Sequence, residues 1–159
     1  MAALNEALVL GPGEGQDTAR DGRMTFKARA DQTGDAFAMI ELAVPSDIPG
    51  PPLHVHHGCD ETFYVLEGTL TLRLGERTIA VPAGAFVLVP RGVAHTFANR
   101  GPGVARFLGT ISPGRYIGYV EEINALLATT PAGTRPDMAR AAEIGRRYAT
   151  EFLGPPLGR

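Results

Sequence analysis

Tryptophan is absent from this 159-residue chain, and cysteine and lysine occur once each, as Cys59 and Lys27. A single cysteine excludes a scaffold stapled by internal disulfides. A single lysine, set in the polar strand-like stretch "MTFKARA", leaves little basis for Schiff-base or lysine general-base chemistry. The formal net charge of −2 provides no broad basic field, which argues against nucleic acid or an anionic membrane as a partner. No apolar run reaches membrane-spanning length. A small molecule is therefore the expected partner. The stretch "MAALNEALVLGPGEGQ" has no basic lead followed by a long apolar segment, and the expected location is the cytoplasm.

What the chain does have is a 44% hydrophobic content, 20 glycines and 13 prolines, enough apolar material for one globular domain over residues 1–159. From Met24 to Ser112 short strand-like runs ("FAMIELAVP", "ETFYVLEG", "TLTLRLG", "AFVLVPRG") alternate with glycine and proline turns, the pattern of an all-β sandwich or barrel. Glu67-Gly68 and Gly75-Glu76 read as two-residue hairpin loops, so successive strands are expected to pair antiparallel. Alternation puts Glu61, Phe63 and Val65 on one face, Leu70, Leu72 and Leu74 on another, and His95, Phe97 and Asn99 on a third.

Beyond residue 112 the period changes. Tyr116, Tyr119, Val120, Ile123, Leu126 and Leu127 fall at helical spacing, as do Met138, Ala141, Ile144, Tyr148 and Phe152. Two helices are expected over about 116–153, the second starting near Thr134 and Pro136 and stopping at Gly154-Pro155-Pro156. They are read as a cover over an open barrel end. The stretch "GPGEGQ" has Gln16 where a dinucleotide loop needs its third glycine, and is read as a turn.

Three of the four histidines stand together in "LHVHHGCDETFYVLEG", residues 53–68. Neighbouring imidazoles repel when protonated, so the cluster calls for a partner that favours neutral nitrogens, and a metal cation is one. In a strand His54 and His56 project to one face and His57 to the other. Beyond the Gly58-Cys59-Asp60 bend, Glu61 could return a carboxylate to the same site. In "GAFVLVPRGVAHTFAN", residues 84–99, the turn at Pro90-Arg91-Gly92 feeds His95 into a new strand, and its ring could complete the set.

At these residues the chain resembles the cupin superfamily. The first motif of that family is matched by His54, His56, Glu61 and Gly68, and the second by Gly84, Pro90, Gly92, His95 and Asn99. One position departs: Gly50 stands three residues before His54, where the family's opening glycine stands five before. The resemblance implies a double-stranded β-helix barrel over about 24–112 that holds a divalent metal through His54, His56, Glu61 and His95. Gly68, Gly84, Pro90 and Gly92 read as turn formers and Asn99 as a side chain bracing a turn. His57 is expected on the opposite face and Cys59 packed in the bend.

Three imidazoles and a carboxylate leave about two open positions on a six-coordinate ion. Such a set fits iron, manganese, nickel or cobalt, with zinc and copper also compatible. Within the superfamily, "PPLHVHHGCDETFYVLEG" and "FLGPPL" are similar to small proteins related to quercetin 2,3-dioxygenases. The resemblance implies an oxygenase for an aromatic or enol-type substrate, with Glu61 as ligand and catalytic base. Phe63, Phe86, Phe97 and Phe107 are candidate walls of its pocket, although core packing is the commoner role for each taken singly. A metal-dependent isomerase, lyase or hydrolase, and a binding module without turnover, are the alternatives. By analogy with related barrels a homodimer is expected, with "ALNEALVLG" near the amino terminus as an exchanged edge.

Overall fold

A computed structural model of the chain describes residues 6–17, 22–46, 48–131 and 133–158. Among them the strands are β1 (Gln16–Asp17), β2 (Met24–Ala28), β3 (Ala38–Pro45), β4 (Pro52–His56), β5 (Asp60–Glu67), β6 (Thr69–Leu74), β7 (Arg77–Pro82), β8 (Phe86–Val89), β9 (His95–Ala98) and β10 (Val104–Ser112). A 3₁₀ turn, Gly114–Tyr116, leads into α1 (Ile117–Ala128), then α2 (Met138–Arg147) and a last strand, β11 (Thr150–Pro156).

The strands form two antiparallel sheets, ordered β1-β2-β3-β10-β5-β8 and β11-β4-β9-β6-β7. Strict alternation drives their inner faces together: along β3, Ala38, Ile40, Leu42 and Val44 are buried while their neighbours are not. Those side chains meet Phe63 and Val65 of β5, Phe107 of β10 and Leu70 and Leu72 of β6 in one core. Burying each of the larger of these side chains contributes roughly 1.5–3 kcal/mol. The barrel expected from the sequence is realised as two facing sheets, each hydrogen-bonded within itself and, among the described residues, not joined into a closed ring.

Two expectations are corrected. Glu67-Gly68 is not a hairpin, because β5 pairs with β10 and β8 whereas β6 pairs with β7 and β9. The chain instead crosses from one sheet to the other at Gly68, whose φ of 70° and close approach to the Val104 carbonyl suit only glycine. Both strands carry an inward apolar face, so alternation alone could not tell a pair within one sheet from a pair across the core. The hairpin at Gly75-Glu76 is present, with Leu74 opposite Arg77.

The second helix ends at Arg147 rather than running to Phe152, and it is capped by Asp137, which accepts from the Arg140 N–H. Residues 150–156 turn back as β11 and pair with β4, Thr150 opposite His56 and Phe152 opposite His54. An unpaired β4 would leave a row of backbone donors and acceptors along an edge. Pairing there outweighs the continued helical spacing of Phe152. The segment 3–11, expected as an exchanged edge, lies partly outside the described residues, and its described part, 6–11, forms no strand.

Candidate metal centre

The five-stranded sheet supplies three imidazoles, two from β4 and one from β9, with His54 directly opposite His95. The carboxylate comes from the other sheet, where Glu61 sits between Ile111 of β10 and Val89 of β8. One ligand-type atom from each of His54, His56, Glu61 and His95 falls in a group whose members all lie within 4.8 Å of one another. Ligands on opposite sides of an ion with bonds of about 2.1 Å are about 4.2 Å apart. Shifts of less than an ångström would bring these four onto one ion, so the residues fit a divalent metal, and their N₃O set is of the borderline kind.

Each ring is oriented from behind. His54 Nδ1 donates to the Pro52 carbonyl at 2.7 Å, and His95 Nδ1 to the Val93 carbonyl at 2.9 Å. A carbonyl can only accept, so in both rings Nδ1 carries the proton and Nε2 is the nitrogen left for the cluster. His56 Nδ1 lies 2.7 Å from Thr150 Oγ1, on β11. On the inner side Glu61 Oε2 is 2.9 Å from His95 Nε2 and 3.5 Å from His56 Nε2.

The electrostatics are those of a site poised for a cation. Burial, followed by repulsion from His95 and His56, pulls the His54 ring down to about 3. Burial alone would raise the Glu61 carboxyl, but the neighbouring His56 and His95 rings outweigh it and hold it well below the usual carboxylate range. Burial is the largest single influence on His95 and lowers it, but the Glu61 hydrogen bond and charge, together with the Val93 carbonyl, outweigh burial and move it up. Where that bond forms, a proton on His95 Nε2 occupies the position a metal would take.

The neighbouring loops are tied to the ligands. Asp60 accepts from the Arg91 backbone N–H at 2.9 Å and from its guanidinium, which joins the start of β5 to the turn before His95 and holds the Asp60 carboxyl down at about 2. A Cβ on Gly50 would stand 1.6 Å from the Phe97 carbonyl oxygen, so only glycine lets this segment pass β9 on its way to His54. Asn99 braces its turn as expected, donating to the Val44 and Gly103 carbonyls. His57 lies on the outer face against Glu151, 54% exposed at the side chain. Cys59 is buried in the bend, with burial pushing its thiol up to about 12.

A cavity of about 590 Å³, its open mouth included, borders the cluster. His54, His56 and Glu61 form its polar wall, and Met24, Ile40 and Leu42 from the first strands face them with Pro51, Phe97, Phe107 and Ile111. Tyr119, Val120 and Ile123 of α1 complete the lining. Of the four phenylalanines singled out in the sequence, Phe97 and Phe107 line this space. Phe63 packs behind them, with ring centroids 5.7 and 5.2 Å away. Phe86 stands 61% exposed on edge strand β8, away from the cavity, because residue 87 rather than 86 has the inward parity there. Thr150 and the α1 residues were missed as site residues. Helical spacing gave Tyr119, Val120 and Ile123 an apolar face, but nothing local says what that face covers.

With this geometry in view, residues 43–111 match the cupin domain family, and all four clustered residues fall inside the match. The fold is a cupin fold. Among solved structures it is similar to an uncharacterized conserved protein with a double-stranded β-helix domain from Klebsiella pneumoniae, at 18% identity and a TM-score of 0.54, covering 69% of this chain and 92% of that one. A cupin-2 domain containing protein from Shewanella frigidimarina is 24% identical over 48% of this chain and 70% of its own, with a TM-score of 0.42. A sugar phosphate isomerase of the cupin superfamily from Silicibacter pomeroyi is 24% identical over 57% of this chain and 59% of its own, with a TM-score of 0.49. No curated protein matches the chain. No helix among the described residues is long and apolar enough to cross a membrane.

Proposed function

We propose that this cupin holds one divalent transition metal through His54, His56, Glu61 and His95 and acts as an oxygenase on a small aromatic or enol-type substrate bound to the metal through oxygen. The observation that carries this reading is the composition of the cavity wall. Among the described residues, the one lining residue beside the ligands with a hydroxyl or other oxygen- or nitrogen-bearing side chain is Tyr119, and no described arginine or lysine lines the cavity. A phosphorylated or many-hydroxyl substrate would leave buried charge or hydroxyls unpaired there. A flat apolar molecule with one or two oxygens would not.

When bound, a divalent ion polarises a substrate oxygen and can hold dioxygen beside it. Phe97 and Phe107 present ring faces and edges against which an aromatic substrate packs. The α1 side chains Val120 and Ile123 add to the apolar wall. Glu61, its carboxyl held below the usual carboxylate range by the neighbouring imidazoles, accepts the substrate's hydroxyl proton as the oxygen docks. The Val93 carbonyl, which accepts from His95 Nδ1, would hold that ring with its Nε2 toward the ion.

The test begins with elemental analysis of protein purified without added metal. Oxygen uptake then follows with flavonols, catechols and diketones. Metal-dependent oxygen consumption supports the proposal. Turnover that persists without oxygen would point to an isomerase, lyase or hydrolase instead, and stoichiometric metal with no turnover on any substrate to a binding module.

A further inference from the structure

His54 and His95 each donate Nδ1–H to a carbonyl two residues earlier in their own segment. His56 has no such local acceptor. Its Nδ1 meets Thr150 Oγ1, 94 residues further along the chain, at 2.7 Å and in a buried position. A hydroxyl, unlike a carbonyl, can serve as donor or acceptor, so this contact alone leaves the ring's tautomer open. A second bond decides it: Thr150 Oγ1 also donates to the Tyr148 carbonyl at 3.2 Å. With its one hydrogen engaged there, the Thr150 oxygen is left to accept. The His56 proton then sits on Nδ1, and its bare Nε2 faces the cluster.

We infer that Thr150 is a positioning residue for the metal centre, holding His56 in the Nδ1–H tautomer so that all three imidazoles present Nε2 to the cation. The surrounding chain is shaped to deliver it. Thr150 stands directly opposite His56 in the β11–β4 ladder, and the preceding register is locked by the His57 N–H bond to the Ala149 carbonyl at 2.7 Å. Ala149 turns the chain out of α2 with a φ of 48°, a left-handed conformation that an alanine adopts only under constraint. Gly145 passes so close to the Thr150 carbonyl that a Cβ there would lie 2.6 Å from its oxygen. Without the Thr150 hydroxyl, the His56 proton is free to move to Nε2, where Glu61 Oε2 at 3.5 Å can accept it. That tautomer turns an N–H toward the cation.

The effect of Thr150 on metal affinity rests on the metal site proposed above, whereas its effect on the tautomer does not. Two measurements on the full chain separate them. In ¹⁵N NMR of the metal-free protein in mildly alkaline buffer, His56 should show a protonated Nδ1 and a bare Nε2. Thr150→Val, which keeps the branched shape, should shift the ring toward the Nε2–H form, and Thr150→Ser should restore it. In titrations with Co²⁺ followed by its visible absorption, Thr150→Val should weaken binding by about 10- to 100-fold, with Thr150→Ser within about threefold of the parent. An Nε2–H ring in the parent protein, an unchanged tautomer in Thr150→Val, or equal losses in the Val and Ser variants would overturn the assignment. If the parent binds no Co²⁺, the metal reading falls, and the NMR result still decides the role of Thr150.

Discussion

The histidines of the cluster are held in two different ways. His54 and His95 are oriented by carbonyls of their own segments, those of Pro52 and Val93, so their rings are aimed as soon as β4 and β9 form. His56 lies only two residues from His54 on the same strand face, yet it takes its orientation from Thr150, on a strand that arrives after both helices. The comparison teaches that a ligand set can be local in its residue types and spacing but non-local in its precision. Two imidazoles are aimed within their own segments, and the third depends on the docking of the carboxyl-terminal strand.

The hardest way to break the comparison is to delete a locally held ligand. His54→Ala or His95→Ala is expected to reduce bound metal, measured by elemental analysis, to less than about a tenth of the parent's content. Stoichiometric metal in either variant would contradict the site.

Next in size is a change that disturbs the carboxyl-terminal strand without touching any ligand. Gly145→Ala forces a methyl against the Thr150 carbonyl, 2.6 Å away. It should lower stability in thermal or denaturant melts by about 1–3 kcal/mol and weaken metal binding, while the Nδ1–H tautomers of His54 and His95 remain. Loss of all three histidine orientations together would show that the two kinds of support are not separate.

The pH dependence of the metal-free protein sharpens the contrast within the locally held pair. The His54 pKa is depressed from 6.5 to about 3, so the unfolded chain binds more protons between these values. Its contribution to stability is present above about 6.5 and is lost as pH falls toward 3. The His95 pKa is raised, so its contribution is full below the ordinary histidine value and is lost as pH rises through the folded one. Relative to the parent, His54→Gln should therefore lose less stability on acidification and His95→Gln should lose less on alkalinisation. Urea midpoints measured across the range check both signs.

The smallest effect belongs to the histidine beside the cluster. His57 faces outward in an exposed pair with Glu151, and His57→Ala should leave metal content unchanged and stability within about 0.5 kcal/mol of the parent. A fall in metal content comparable to that of the ligand variants would mean that the strand's two faces had been misassigned.

Much of this centre was legible before any fold was known. The two-residue spacing of His54 and His56, the bend before Glu61 and the turn before His95 are short-range features, and a strand's parity converts them directly into facing. The same parity put His57 outside, and Asn99 has the turn-bracing role expected of it. Phe97 and Phe107 line the cavity, whereas Phe86 lies one position out of parity on β8 and Phe63 packs a layer deeper. The partnering of strands was less legible. β5 and β6 look like a hairpin because each is apolar on one face, but they lie in different sheets. Phe152 continues a helical stripe, yet the free edge of β4 claims it as strand.

By itself the sequence determined which side chains could serve a cation and which face of its strand each would occupy, since these follow from residue chemistry and a two-residue repeat. Only the tertiary structure decided that Glu61 approaches from the opposite sheet, that α1 walls the cavity, and that Thr150 stands behind His56. Those pairings join segments far apart along the chain. Which of several apolar faces meet is settled by the burial and backbone pairing of the whole assembly, and no local pattern carries that information.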